Sequence, residues 1–99
     1  MASRSVHQWE RFIREAAKAS DRVVFTRHAL ARMRERQITA LMVLAVLRSG
    51  KILRAPEPNP SKGSLECRME YFVAERQLAV VVAVADDDPD AIVVTAMEL

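Results

Sequence analysis

Apolar residues recur at helical spacing along the first half of this chain and at strand spacing along the second, and the change falls near Gly50. Trp9, Phe12, Ile13, Ala16 and Ala17 repeat every three to four positions, with Glu10, Arg11, Arg14, Glu15 and Lys18 between them. This spacing predicts an amphipathic helix whose charged residues face water. Ser5 followed by Gln8 supplies a capping box at its start, and Ser20-Asp21 ends it. Val23-Val24-Phe25 is a short extended stretch, after which Thr26 caps a second helix running from about Arg27 to Gln37, with Ala29, Leu30 and Met33 as its apolar stripe. Thr39 caps a third helix, and its residues from Leu41 to Leu47 are apolar on nearly every side. Such a helix is either central to its core or covered on its second face by another chain. Gly50 then stands where a helix end favours a left-handed residue.

Beyond Gly50 the period falls to two. Lys51-Ile52-Leu53-Arg54 reads as a short strand, and Ala55 to Gly63, with Pro56, Pro58 and Pro60, as a loop. Leu65, Cys67, Met69, Tyr71 and Val73 alternate with Glu66, Arg68, Glu70 and Phe72, which predicts a strand with one covered face. Leu78 to Val84 is the β-branched run of a central strand, Asp86 to Asp90 a turn, and Ala91 to Met97 a final strand. Helices followed by a meander of strands predict a single α+β domain over residues 1–99, with two to three helices on a roughly four-stranded antiparallel sheet.

Composition adds three constraints. An apolar share of 51% and a charged share of 28% suit a packed domain. The single cysteine, Cys67, cannot staple the chain to itself, and no apolar run approaches the roughly 20 residues of a membrane span, so the expectation is a cytoplasmic protein with no membrane partner. The net charge of +2 hides an asymmetry. Residues 1–55 carry twelve Lys and Arg against four acids, and residues 56–99 carry three against nine. A first half so basic suits RNA, DNA or an acidic protein as a partner.

Within the second helix, His28, Arg32 and Arg36 fall within about 80° of one another, beside the apolar stripe. Guanidinium groups at the edge of a core need an anion to meet them. Read functionally, the row binds phosphate, with His28 as general acid or base. Such a set suffices for RNA cleavage without a metal, because the 2′-hydroxyl is an internal nucleophile. Read structurally, Arg32 and Arg36 bridge to carboxylates of the sheet and His28 bonds a carbonyl. Lys51 and Arg54 extend the basic surface as candidate nucleic-acid contacts, on opposite faces of their strand. Tyr71 and Cys67 read as core residues, His7 has no evident partner, and Asp86, Asp87, Asp88 and Asp90 lack the glycine and closing glutamate of a calcium loop. No metal-ligand set and no phosphate-cradling glycine loop is present, so no cofactor is expected.

The segment from Val24 to Thr39 resembles the opening signature of a bacterial family, domain of unknown function 4258. The signature is a hydrophobic residue (Phe25) three positions before His28-Ala29, then Arg32-Met33, Glu35-Arg36 and the Gln37-Ile38 step. Val46 to Ile52, with its Gly50-Lys51-Ile52, and Ala91 to Thr95 are similar to the family's later segments. The similarity spans residues 23–97, which leaves residues 1–22 as an added N-terminal helix. It implies helices packed on an antiparallel sheet and a distant similarity to RelE-like toxins, many of which are small, basic, metal-independent ribonucleases held by an antitoxin. His28, Arg32 and Arg36 match the motif positions. The chain departs from the pattern at Thr95-Ala96-Met97, where many relatives carry a tyrosine, and in its acidic second half. The expectation is a RelE-like domain that cleaves or binds RNA. The alternative is a non-enzymatic interaction domain that takes an antitoxin or other acidic protein, or a second copy through its third helix.

Overall fold

The computed structural model describes residues 4–99. Three helices, α1 (Val6–Lys18), α2 (Arg27–Arg36) and α3 (Ala40–Ser49), lie with six strands: β1 (Val23–Phe25), β2 (Lys51–Ile52), β3 (Glu57–Asn59), β4 (Ser64–Val73), β5 (Arg76–Ala85) and β6 (Asp88–Glu98). A single 3-10 turn, Ser20–Arg22, joins α1 to β1. Each helix opens on the hydroxyl the sequence offers. Ser5 accepts from Gln8 N at 3.2 Å while the Gln8 side chain returns the bond to Ser5 N at 2.7 Å, Thr26 accepts from Ala29 N at 3.0 Å, and Thr39 accepts from Met42 N at 3.1 Å. Caps of this kind stabilise a helix by about 1 kcal/mol each.

The sheet departs from the expected four antiparallel strands. It is six-stranded and mixed, in the order β1-β6-β5-β4-β2 with β3 also paired to β4, and β1 runs parallel to β6 through Val23↔Ala91 and Phe25↔Val93. The extended stretch before α2 is therefore a strand. β6, the last in sequence, lies inside the sheet and not at its edge. The proline-rich segment is also not wholly a loop, because Glu57, Pro58 and Asn59 pair with Glu66, Leu65 and Ser64. A proline is tolerated there because β3 is an edge strand. The strand expected over residues 51–54 stops at Ile52.

The helices cover one face of the sheet. Ile13, Ala17, Val43, Leu47, Met69, Leu78, Val80, Val82, Val93 and Ala96 are among the residues of the core between them. Burial of this kind supplies about 25 cal/mol per Å² of apolar surface and is the main stabilising term. Several predicted core positions fall outside it. Leu30 is 47% exposed because α2 packs beside β6 on one side only, and Leu41 is 77% exposed because α3 buries just Val43, Val46 and Leu47. Tyr71 is 38% exposed, since β4 runs past the two residues of β2 and leaves Tyr71 to Val73 unpaired on that side. Glu10, expected to face water, is buried, and its Oε2 accepts the backbone N–H of Ile52 at 2.8 Å.

Gly50 is also required for a reason other than the one expected. Its φ is −77°, so it is not left-handed. A Cβ at this position would meet Val46 O at 2.5 Å and Glu70 O at 2.7 Å, so glycine lets the end of α3 touch β4. The left-handed helix end occurs instead at Gln37, φ 56°, after α2. No helix among the described residues is long and apolar enough to cross a membrane.

Candidate functional site

The face of the sheet away from the helices is uncovered. Its floor comes from the outward residues of β5 and β6, among them Val81, Ala83, Ile92, Val94 and Met97, all half-buried. Val94 is an additional residue in β6, because the partner of Val81 is Thr95 and that of Val82 is Val93. Bulges of this type re-aim a side chain locally. Over this floor lies a cavity of about 580 Å³. Thr26 and His28 line one wall, from the junction of β1 and α2. Lys62, Gly63, Ser64 and Glu66 line the other, from the β3–β4 turn and β4, and Asp87 and Asp88 stand at one end. A smaller hollow of about 170 Å³ shares Glu66 and continues past Arg68 to Arg54, which makes one groove along the sheet.

Thr26 fixes the entrance of His28 to this groove. Its hydroxyl caps α2 and also donates to Val93 O at 3.0 Å, while its backbone N–H reaches the same carbonyl at 3.2 Å. The first turn of α2 is thereby tied to β6, and His28, the second residue of the helix, comes to the groove wall. At the other end of the helix the Arg36 Nη1 donates to Ala96 O at 2.7 Å. The face bearing His28, Arg32 and Arg36 thus follows the edge of β6 beyond the point where β1 ends, and it covers carbonyls that would otherwise lie on an open edge.

The three residues of the row have different surroundings. His28 is exposed and lines the cavity. Arg32 pairs with Glu35 on its own helix, and neither Arg32 nor Arg36 meets a carboxylate of the sheet. Arg54 lines the smaller hollow beside Arg68, whose Nε pairs with Glu70 at 3.0 Å. Lys51 is exposed on β2 and lies outside that hollow. Among the described residues no group of three or more His, Cys, Asp or Glu is placed to hold a metal ion. Asp86 and Asp87 form a tight turn, and Asp88 begins β6 with its Oδ1 accepting from Asp90 N at 2.9 Å.

Sequence reasoning singled out neither Lys62, Ser64 nor Glu66 as functional. The alternation in β4 does place Glu66 and Arg68 on the outward face. The pairing of β1 with β6, which brings His28 to the same groove, leaves no local signal. Ser64, on the cavity wall, has a buried Oγ with no hydrogen-bond partner among the described residues. Cys67 lies inside the core with its thiol pushed up to about 11 by burial, which keeps it protonated and unreactive.

Residues 25–98 match the model of a family described as Domain of unknown function (DUF4258). The chain belongs to that family. The match begins in β1, includes α2, α3 and the rest of the sheet, and leaves α1 outside. No curated protein and no solved structure matches the chain. The DUF4258 residues contain every wall of the groove, from Thr26 to Val94.

Proposed function

We propose that this DUF4258 chain is a RelE-like domain that acts on RNA, with the open sheet face as its substrate groove and metal-independent cleavage as its reaction. One observation carries the reading: His28 and Glu66, two groups suited to proton transfer, line one cavity together with the cation of Lys62. One of the pair removes the 2′-hydroxyl proton. The 2′-oxygen then attacks the adjacent phosphorus, the bond to the 5′-oxygen breaks, and the other group protonates that leaving oxygen. The products are a 2′,3′-cyclic phosphate and a free 5′-hydroxyl. Lys62 stands as the cation for the charge that builds on the phosphorane, while Arg32, outside the cavity lining and paired with Glu35, and Arg36, with one donor on Ala96 O, supply further guanidiniums for phosphates along the edge of β6. Arg54 and Arg68 extend the groove for flanking phosphates. The half-buried aliphatic floor suits the face of a base.

Purified protein is incubated with single-stranded RNA, with chelator present. The expected result is cleavage that leaves cyclic phosphate ends, lost by about 10²- to 10⁴-fold in folded His28→Ala and Glu66→Gln variants. An RNA with a 2′-deoxy sugar at the scissile position should resist cutting. Folded protein that leaves RNA intact overturns the reading.

A second reading is favoured by the exposure of Leu41 at 77%, Leu53 at 66% and Phe72 at 61%. In it the chain is a non-enzymatic domain that binds a second copy through α3, or an antitoxin or other acidic protein. A dimer insensitive to salt, lost in Leu41→Glu, supports it over the first.

A further inference from the structure

Opposite the groove, on the helical side of the molecule, α1 and α3 border a second cavity of about 400 Å³. His7, Glu10, Arg11, Arg14, Glu15, Lys18 and Arg48 are its whole lining. The four on α1 that are basic or imidazole fall at spacings of three and four residues, so they form one row along roughly 16 Å of helix. The two acids are already engaged. Glu10 is buried and bonds Ile52 N, and Glu15 pairs with Lys18 Nζ at 2.8 Å.

The cations are engaged to different degrees, and Lys18 is taken up by Glu15. Arg11 has no ion pair among the described residues. Arg14 donates through Nη2 to Gly50 O at 2.7 Å and lies 3.6 Å from Glu10 Oε1, while its buried Nε has no acceptor among the described residues. Arg48 is anchored through Nε to Ala17 O at 2.9 Å, which fixes its guanidinium at the rim of the cleft.

We propose that this α1–α3 cleft binds the phosphate backbone of a nucleic acid. The lining decides between the two kinds of anionic polymer. A protein partner needs a desolvated apolar or aromatic anchor at the centre of its interface, and no lining residue of the cleft is apolar. A phosphodiester backbone needs spaced cations and little else. Arg11, without an ion pair among the described residues, and Arg48, held through Nε with its Nη groups left for phosphate oxygens, meet that need together with the imidazole of His7. One wall, α1, precedes the family match at residues 25–98, so the site is an addition to the DUF4258 unit. The inference rests on the preceding reading only for the class of polymer.

The test is fluorescence anisotropy with a labelled oligouridine of about a dozen nucleotides at several salt concentrations. An Arg11→Glu/Arg48→Glu double variant should bind at least about ten-fold more weakly at low salt, and the slope of log K against log salt should fall by about 0.7 for each cation removed. Arg11→Glu alone, at an exposed position, gives the same direction if the Arg48 change unfolds the chain. Folded variants that bind as wild type does overturn the cleft, as does a poly-glutamate of equal charge that competes as well as RNA. The two proposals fail separately. Wild type that binds the oligonucleotide with a variant-sensitive slope but leaves it intact overturns cleavage in the groove and supports the cleft. Wild type that cleaves while the Arg11→Glu variant binds unchanged does the reverse.

Discussion

The carboxylate of Glu10 accepts the backbone N–H of Ile52 at 2.8 Å, across 42 residues of sequence and below the surface of the molecule. It holds the middle of α1 to the start of β2. The Arg14 guanidinium, whose Nη2 lies 3.6 Å from the other carboxylate oxygen, adds a charged contact at the boundary. Glu10→Ala leaves a backbone amide unsatisfied and an arginine unpaired, and a loss of about 2 to 3 kcal/mol is expected in urea denaturation. Glu10→Gln keeps an oxygen acceptor and should lose less. Equal stability of the alanine variant and wild type would sink this account.

Gly50→Ala tests the contact between α3 and β4. The added methyl meets backbone oxygens on two sides, and neither can turn away as a side chain would. A destabilisation of about 2 to 3 kcal/mol is expected, from overpacking. If the requirement were instead for a left-handed backbone, Gly50→Asn would be tolerated better than Gly50→Ala. The prediction is the opposite order, read from urea midpoints.

The end of α2 depends on Gln37 and Arg76. Gln37 adopts φ 56°, and the Arg76 Nη1 and Nη2 donate to the carbonyls of Gln37 and Arg36 at 2.8 and 2.7 Å, while Nε reaches Glu98 at 2.8 Å. Gln37→Gly should stabilise the protein by about 0.5 to 1 kcal/mol, because glycine accepts this conformation without strain. Arg76→Ala removes the clasp and should destabilise by about 1 to 2 kcal/mol. Thermal melts of the two variants should therefore move in opposite directions.

Cys67 gives a pH signature. Its thiol is at about 11 in the folded chain against 9.0 for an ordinary cysteine. Above pH 9 the unfolded chain loses this proton first, so stability is complete below that value and falls by about 1.4 kcal/mol per unit toward pH 11. Cys67→Ala should remove that decline, seen in urea midpoints between pH 9 and 11. Iodoacetamide should leave the native thiol untouched at pH 8 and label it once the chain is unfolded.

Features that depend on neighbouring residues were legible in the sequence. Ser5, Thr26 and Thr39 each cap the helix their spacing predicts, and the alternation of Cys67 and Met69 with Glu66 and Arg68 gives the two faces of β4. Features that depend on distant residues were not. The period of three residues, Val23 to Phe25, names no partner, and only the fold supplies β6 as a parallel neighbour. For the same reason the row of His28, Arg32 and Arg36 could be read from helical geometry, whereas the meeting of His28 with Lys62 and Glu66 could not. Glu10 looked like a solvent charge because the amide it serves lies 42 residues away.

The position of β6 between β1 and β5 has a consequence for synthesis. β1 and α2 emerge early from the ribosome, but the strand they dock on includes Ala91 to Val93 and Ala96. Until that stretch has left the exit tunnel, β1 has no partner and the carbonyls that Thr26 and Arg36 seek do not exist. The His28 wall of the groove is therefore assembled after translation of β6. A nascent chain arrested before Asp88 carries every catalytic candidate in its sequence and has no groove to place them in.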